Sequence, residues 1–527
     1  MGVDILSVTF DGCSANVNMA NCLGASLSME NLKTSFPHPS NPGLDVHIFL
    51  DVCHMLKLLR NTLAEKSTLL DVDGNEVRWE YLKQLQTLQC AEGLRAANKL
   101  TERHIQWQRQ KMKVRLAAQT LSSSVANALE FCNKNTKTKE FQGCDATVNF
   151  IRIVDRLFDL LNSRNALAKG FKAPLRRENK NFWRPFILSA VNYLKGLKLS
   201  TGQLVSSSLR KTGVVGFVVS ATSVMNLFDK CVKDKQQCQQ LKYLLTYKFS
   251  QDHLELFFAL IRSRGGHNNN PSPLQLKATM KRLLTHNKLI CVTTGNCVPV
   301  DNSKILTIHD SISRLETAAD TDIDTVACSR QYDVDLQDIS DDVNDHSYLP
   351  TVEFLSMFVE NVVVYIAGYV VKRVQASLSC EQCHRALTDN EAGNDTCRAD
   401  FSLIEQRDKG GLIRPSPDVI AVCKASESCM RVHTGTGQRP LYAKGNVSLQ
   451  ICLEVLSQFI GSNIFSSLDD HAVETEAINN HKLQLIRKVA KCYITLRLHH
   501  QCKSYTRFVQ GESCRSVLGK TILFKGQ

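Results

Sequence analysis

The sequence has no secretory leader, no uninterrupted membrane-length apolar run, no phosphate loop and no repeating cysteine framework, and each absence removes a class of protein. Met1-Gly2-Val3-Asp4 lacks a positively charged n-region, and Leu6 breaks the myristoylation pattern. The most apolar runs, Val214 to Leu227 and Phe354 to Val371, are too short or are interrupted by Glu360 and Asn361, so a soluble protein without a membrane partner is expected. Twenty cysteines without a framework, in a chain of 527 residues, read as reduced intracellular thiols, which predicts nucleus or cytoplasm. A G-x-x-x-x-G-K-S/T loop is missing, so nothing in the residues themselves announces a nucleotide.

What is present is an ordinary globular composition, 43% hydrophobic and 22% charged, with length for two to four domains. The formal charge of +13 favours an anionic partner such as nucleic acid, although a solvated basic surface explains it almost as well. The charge is uneven. Residues 95 to 115 carry Arg95, Lys99, Arg103, Arg109, Lys111, Lys113 and Arg115, whereas residues 316 to 345 carry ten carboxylates and one arginine. A basic surface and an acidic linker are predicted.

The chain opens with strand, helix, strand, helix, an α/β signature. Ile5 to Phe10 forms a strand ending at Asp11-Gly12, Ser14 begins a helix that stops at Gly24, and His47 to Asp51 forms a second strand before a helix with Met55, Leu56, Leu59 and Leu63 on one face. Asp11 then sits at the C-terminal end of its strand, where open α/β sheets place their ligands. Asp51 reads more readily as a cap of the following helix than as a metal ligand. From Ser67 to Thr246 the spacing is helical, as in Val148, Ile151, Val154, Leu157, Phe158 and Leu161.

The segment Ser250 to Arg264 predicts a helix that buries Leu254, Phe257, Phe258 and Ile261 and carries Asp252, Glu255 and Arg262 off that face. Asp252 and Glu255 have the spacing of a capping box, the plainer reading; the other is a carboxylate paired with Asp11 around a divalent ion. Cys380-Glu-Gln-Cys383 with His384, Cys397, Cys423, Cys429 and His433 has only loosely zinc-like spacing, and plain buried or exposed thiols are the favoured reading over structural zinc.

Five segments in order, Phe10-Asp-Gly-Cys-Ser-Ala-Asn16, Asp51-Val-Cys-His through Asn61, Lys111 to Val125, Arg156 to Arg164 and Ser250-Gln-Asp-His-Leu-Glu255 through His267, resemble the P element transposases and their THAP-domain relatives. The likeness covers most of residues 1 to 300 and is looser in the C-terminal third. It implies an α/β chain with an RNase H-like core in two parts (1–66, without its first strand, and 247–300), a helical GTP-binding insertion (67–246), the acidic linker (301–345) and an α-rich C-terminal domain (346–527). It further implies DNA cleavage and strand transfer at transposon ends and target DNA, with Mg²⁺ and GTP as cofactors, in the nucleus.

Carried over by motif, Asp11 and Glu255 are the catalytic, metal-binding acids. Val114 and Phe158 sandwich guanine, Asp159 and Asn162 bond its edge or sugar, Lys99, Lys113 and Ser122 meet phosphates, and Asp252 approaches the nucleotide or its cation. The family's first acid lies upstream of Phe10, where Asp4 stands too near Asp11 to serve, and the zinc-binding THAP module and dimerising segment have no counterpart. A truncated transposase is therefore the reading. A catalytically silent GTP- and DNA-binding remnant and a protein interaction scaffold remain the alternatives, and homo-oligomerisation is left open.

Overall fold

Strand β1 (Ser7–Phe10) pairs in parallel with β3 (Asn41–Leu50), Phe10 opposite Leu50, and β2 (Ser35–His38) pairs antiparallel on the other side of β3, giving the order β1-β3-β2. β3 is buried continuously from Val46 to Leu50, as expected of a central strand covered on both faces. Helix α1 (Ser14–Cys22) follows β1 and is stopped at Gly24, whose φ of +100° suits a residue without a Cβ. Helix α2 (Val52–Lys66) buries the predicted face of Met55, Leu56, Leu59 and Leu63. The simple strand-helix alternation missed β2, which lies in a stretch with no apolar repeat. The computed structural model describes residues 4–136, 138–232, 241–264, 268, 270–285, 355–389, 401–434, 446–471 and 480–510, so the acidic stretch 301–345, Gly265, Gly266 and Cys397 lie outside the described residues.

The block after α2 is mainly helical: α3 (Glu80–Ala91), α4 (Glu102–Ile105), α5 (Val114–Thr120), α6 (Ser123–Phe131), α7 (Asp145–Leu161), α8 (Lys180–Gly196) and α9 (Thr212–Cys231). It also holds a small antiparallel sheet of β4 (Thr68–Leu70), β5 (Glu76–Arg78) and β6 (Lys198–Leu199), ordered β5-β4-β6. Strands of two or three residues are too short to show an alternating pattern, which is why the sequence reads as purely helical there.

Helix α9 corrects the length inferred for its apolar run. At 20 residues it is long and apolar enough to cross a membrane by length and composition, yet 72% of its apolar window is buried inside the protein. It lies on β3 and α2. Close approach is possible because the contacting residues are small: a Cβ on Gly213 would stand 2.9 Å from the Leu59 backbone nitrogen, and one on Gly216 would collide with Met55. Ser220 Oγ accepts from Leu50 N at 3.0 Å and donates to Leu50 O at 2.8 Å, and Ser223 Oγ donates to Ile48 O.

Helix α10 (Asp252–Arg264) follows, then α11 (Pro273–Thr285), α12 (Met357–Gln375), α13 (Glu381–Ala386), α14 (Ser402–Arg407), α15 (Pro417–Thr434), α16 (Val447–Phe459) and α17 (His481–Gln510). The described residues divide into two compact units, one within 4–260 and 355–510 and the other within 261–285. In the second, Gln275 and Ser272 cap α11 reciprocally. In the first, α12, α15, α16 and α17 share a core, and fully buried Glu427 of α15 lies at its centre. Arg497 binds Glu427 through Nε and Nη2 at 2.8 and 2.9 Å, Arg431 Nε at 3.0 Å and Tyr493 Oη at 2.8 Å. The same arginines reach the earlier block, Arg497 donating to Gly93 O and Arg431 to Glu92 O.

Gly213→Ala is expected to cost about 1–3 kcal/mol, since the obstructing atom is backbone, and to appear as a lower urea midpoint with unchanged slope. Burial works to raise the Glu427 carboxyl, but Arg497, Arg431 and Tyr493 outweigh it and hold the group below the usual range. Its contribution is therefore present above the ordinary carboxylate pKa and is lost as pH falls through the depressed folded value. Glu427→Gln should destabilise by about 3–5 kcal/mol at neutral pH by leaving Arg497 buried without a counter-ion, and should flatten the acid limb of the stability curve.

Candidate functional site

The parallel register positions two acids together. Phe10 and Leu50 are partners, Asp51 N donates to Phe10 O at 3.0 Å, and Asp11 and Asp51 are the next residues out of their strands. Asp11 is exposed; its Oδ1 accepts from Cys13 N at 3.2 Å and Asn16 Nδ2 at 3.4 Å, which shapes the turn into α1. Asp51 is buried and caps α2 as the sequence predicts, accepting from Cys53 N at 3.2 Å. Its second oxygen does something the sequence did not announce: Oδ2 lies 2.5 Å from His54 Nδ1. On the far side of that ring, His54 Nε2 is 3.8 Å from Glu255 Oε1, so Asp51, His54 and Glu255 offer ligand atoms within 4.8 Å of one another.

Glu255 arrives on α10, whose exposure differs from the predicted pattern. Leu254 and Phe258 are about half exposed, whereas Asp252 is buried at 6%. The reason is an ion pair. Asp252 Oδ2 accepts from Arg164 Nη2 at 2.9 Å and from Cys53 Sγ at 3.9 Å, so the acidic side of the helix turns inward. Asp51, Cys53 and Asp252 form a second group of donor atoms within 4.8 Å of one another.

Arg164 follows α7 and also stacks on Tyr247, 5.9 Å from the ring centroid. Around it the end of α7 is fastened to the lead-in of α10. Thr246 Oγ1 donates to Leu160 O at 2.6 Å and accepts from Ser163 N at 2.9 Å, and Tyr247 N donates to Ser163 O at 3.2 Å. Phe249 stacks on Phe49 of β3 at 4.3 Å. Three regions remote in sequence thus meet in one knot.

The residues that the family likeness assigns to a nucleotide lie on separate elements. Lys113 and Val114 are at the start of α5, which packs on α2. Ser122 precedes α6 and donates to Gln119 O at 2.9 Å, while neighbouring Ser123 donates through N and Oγ to Asp155 on α7. Phe158 and Asp159 occupy the last turn of α7; Asn162 caps it and accepts from Arg164 Nε at 3.3 Å. Phe158 is half-buried, as an aromatic at the edge of a core is. Lys99 is exposed, ahead of α4. Burial, reinforced by Asp155, pushes the Asp159 carboxyl up to about 6 against the pull of Lys172 at 3.7 Å. Arg164 and His54 are the participants that periodicity could not find. Both stood inside quoted motifs, and only the fold gives them partners.

Three segments match family models: residues 53–174 the TNP-like GTP-binding insertion domain, residues 247–281 the TNP-like RNase H C-terminal domain, and residues 354–503 the C-terminal domain of DNA transposase THAP9. Human DNA transposase THAP9 is 28% identical over 506 residues, 94% of this chain and 54% of the relative. The Transposable element P transposase of Drosophila melanogaster is 25% identical over 437 residues, 82% of this chain and 52% of the relative. The chain thus spans about half the length of these relatives. The solved Drosophila P element transposase strand transfer complex aligns with a TM-score of 0.46 at 25% identity, covering 53% of this chain and 60% of that one.

Arg164→Ala would leave Asp252 buried without its cation and is expected to cost about 3 kcal/mol or more, measured by denaturant unfolding. Arg164→Lys should recover only part, since a point charge cannot bond Asn162 and Asp252 together.

Proposed function

Since this chain is a homologue of the P element and THAP9 transposases, we propose that it is a GTP-dependent DNA transposase, a divalent-metal nucleotidyltransferase acting on transposon ends and target DNA in the nucleus. The observation that carries this reading is the acidic edge: Asp11 and Asp51 leaving register-paired strands, with Glu255 drawn to His54 beside them. Asp11 and Glu255 are the proposed catalytic acids and metal ligands. Carboxylate oxygens suit a hard ion such as Mg²⁺. Such an ion, when bound, neutralises charge on the attacking and leaving oxygens of a phosphodiester. The residues of the chain do the positioning: Asp51 fixes the imidazole plane of His54, and Arg164, through Asp252, fixes the first turn of α10 and so the height of Glu255.

For the nucleotide, Val114 and Phe158 are proposed to flank guanine, Asp159 and Asn162 to bond its edge or sugar, and Lys99, Lys113 and Ser122 to meet phosphates, with Asp252 approaching from α10. Stacking, an acceptor for guanine N–H groups and lysines for phosphate are the right chemical types. Nucleotide held at the end of α7 would act directly on the bonds from Leu160 and Ser163 to Thr246 and Tyr247, and through Arg164 on Asp252. GTP dependence then has a physical route of about one helical turn.

The chain incubated with terminal-repeat DNA, GTP and Mg²⁺ should nick it, with Asp11→Ala or Glu255→Ala lowering the rate by about 100-fold or more. Nicking that survives Glu255→Ala would sink the assignment. GTP and salt-sensitive DNA binding without any nicking would instead establish the binding-only reading.

By calorimetry, GTP should bind in preference to ATP, and Phe158→Ala should weaken it about tenfold. Because Asp159 accepts through both oxygens only when ionised, GTP affinity should fall as pH drops through about 6, by up to about tenfold per unit, and Asp159→Asn should bind weakly with a flatter profile.

A further inference from the structure

The cysteine-bearing C-terminal region does not assemble as its sequence spacing suggested. His433 Nε2 pairs with Glu454 at 2.7 Å, His384 Nε2 lies 3.0 Å from Leu378 O, and Cys423 and Cys429 are packed into the core along α15. The Cys-x-x-Cys pair finds a different histidine. Cys380, Cys383 and His481 bring ligand atoms within 4.8 Å of one another, although 98 residues separate Cys383 from His481.

We propose that Cys380, Cys383 and His481 bind a zinc ion that fastens α13 to the start of α17. Cys383 Sγ lies 3.5 Å from His481 Nδ1. Zinc bonds of about 2.3 Å to sulfur and about 2.1 Å to nitrogen at a tetrahedral angle separate those atoms by about 3.6 Å, so the spacing needs almost no adjustment. Two thiols and an imidazole are the donor set of a borderline-soft ion, unlike the oxygen donors of the acidic edge.

The ligands are also held in place. Cys380 precedes α13, and its carbonyl accepts from His384 N at 3.1 Å; buried Cys383 sits on the first turn. His481 is the first residue of α17, whose N-terminus is fixed by Asn480 Oδ1 accepting from Leu483 N at 3.2 Å. Lys482 beside it is tied to Asp469 at 2.7 Å and Ser462 O at 3.2 Å. Among the described residues, these three side chains are the ligands brought together there.

The role this gives the metal is structural. Helix α13 has only six residues, too few to be stable alone, whereas α17 carries Tyr493 and Arg497 to Glu427. Zinc would join the short helix to the element that completes the core.

The test is metal content of the purified full chain, read without nucleotide or DNA so that its result is separate from that of the nicking and GTP assays. About one zinc per chain is expected, falling below about one-tenth in Cys383→Ser and in His481→Ala, and unchanged in Cys22→Ser, an exposed cysteine outside the cluster. Cobalt exchanged into the wild-type chain should give tetrahedral d–d bands with a sulfur-to-cobalt charge-transfer band, which keeps the test decisive if a variant fails to fold. Zinc-free protein, a Cys380–Cys383 disulfide, a cobalt spectrum without the sulfur band, or folded Cys383→Ser and His481→Ala proteins with full zinc content would each overturn the proposal.

Discussion

The seating of α9 on β3 is the contact on which the rest of the larger unit depends. A helix can lie this close to a strand only where side chains are nearly absent, and Gly216, Ser220 and Ser223 provide that surface, while Gly213 admits the backbone of α2 alongside. The two serine hydroxyls also bond the final residues of β3, Ile48 and Leu50, so the strand end that leads into Asp51 has its backbone groups satisfied by the helix. Helix α9 is therefore part of the core built around β3 and α2. Asp51, and with it His54, is held partly by residues about 170 positions away.

The second constraint is Arg164. Its guanidinium bonds Asn162 behind it and Asp252 ahead, with Tyr247 against its face. Exposed ion pairs contribute little to stability, but Asp252 is almost fully buried, so its pairing with Arg164 counts for more. One side chain thereby connects the end of α7 to the start of α10.

Short-range pattern was readable and long-range pairing was not. The faces of α2 and α7, the turn at Asp11-Gly12 and the cap at Asp51 follow from spacing and local chemistry, and the structure has them. The inward face of α10 was misjudged because its apolar residues outnumber its acids, whereas the deciding term is the ion pair with Arg164, 88 residues away. The three-residue strands β4 and β5 leave no periodic trace, and the histidine beside Cys383 could be recognised only after folding. The family likeness supplied what periodicity could not: which acids and which helix to examine.

Glu427 has a consequence for shortened forms of this protein. Its carboxylate is enclosed by Arg431 on its own helix and by Tyr493 and Arg497 near the opposite end of the C-terminal region. A premature stop or an alternative splice that removed α17 would strip two of the three and leave the buried anion with Arg431 alone. Such products should be cleared by cellular quality control rather than persist as competitors of the intact chain.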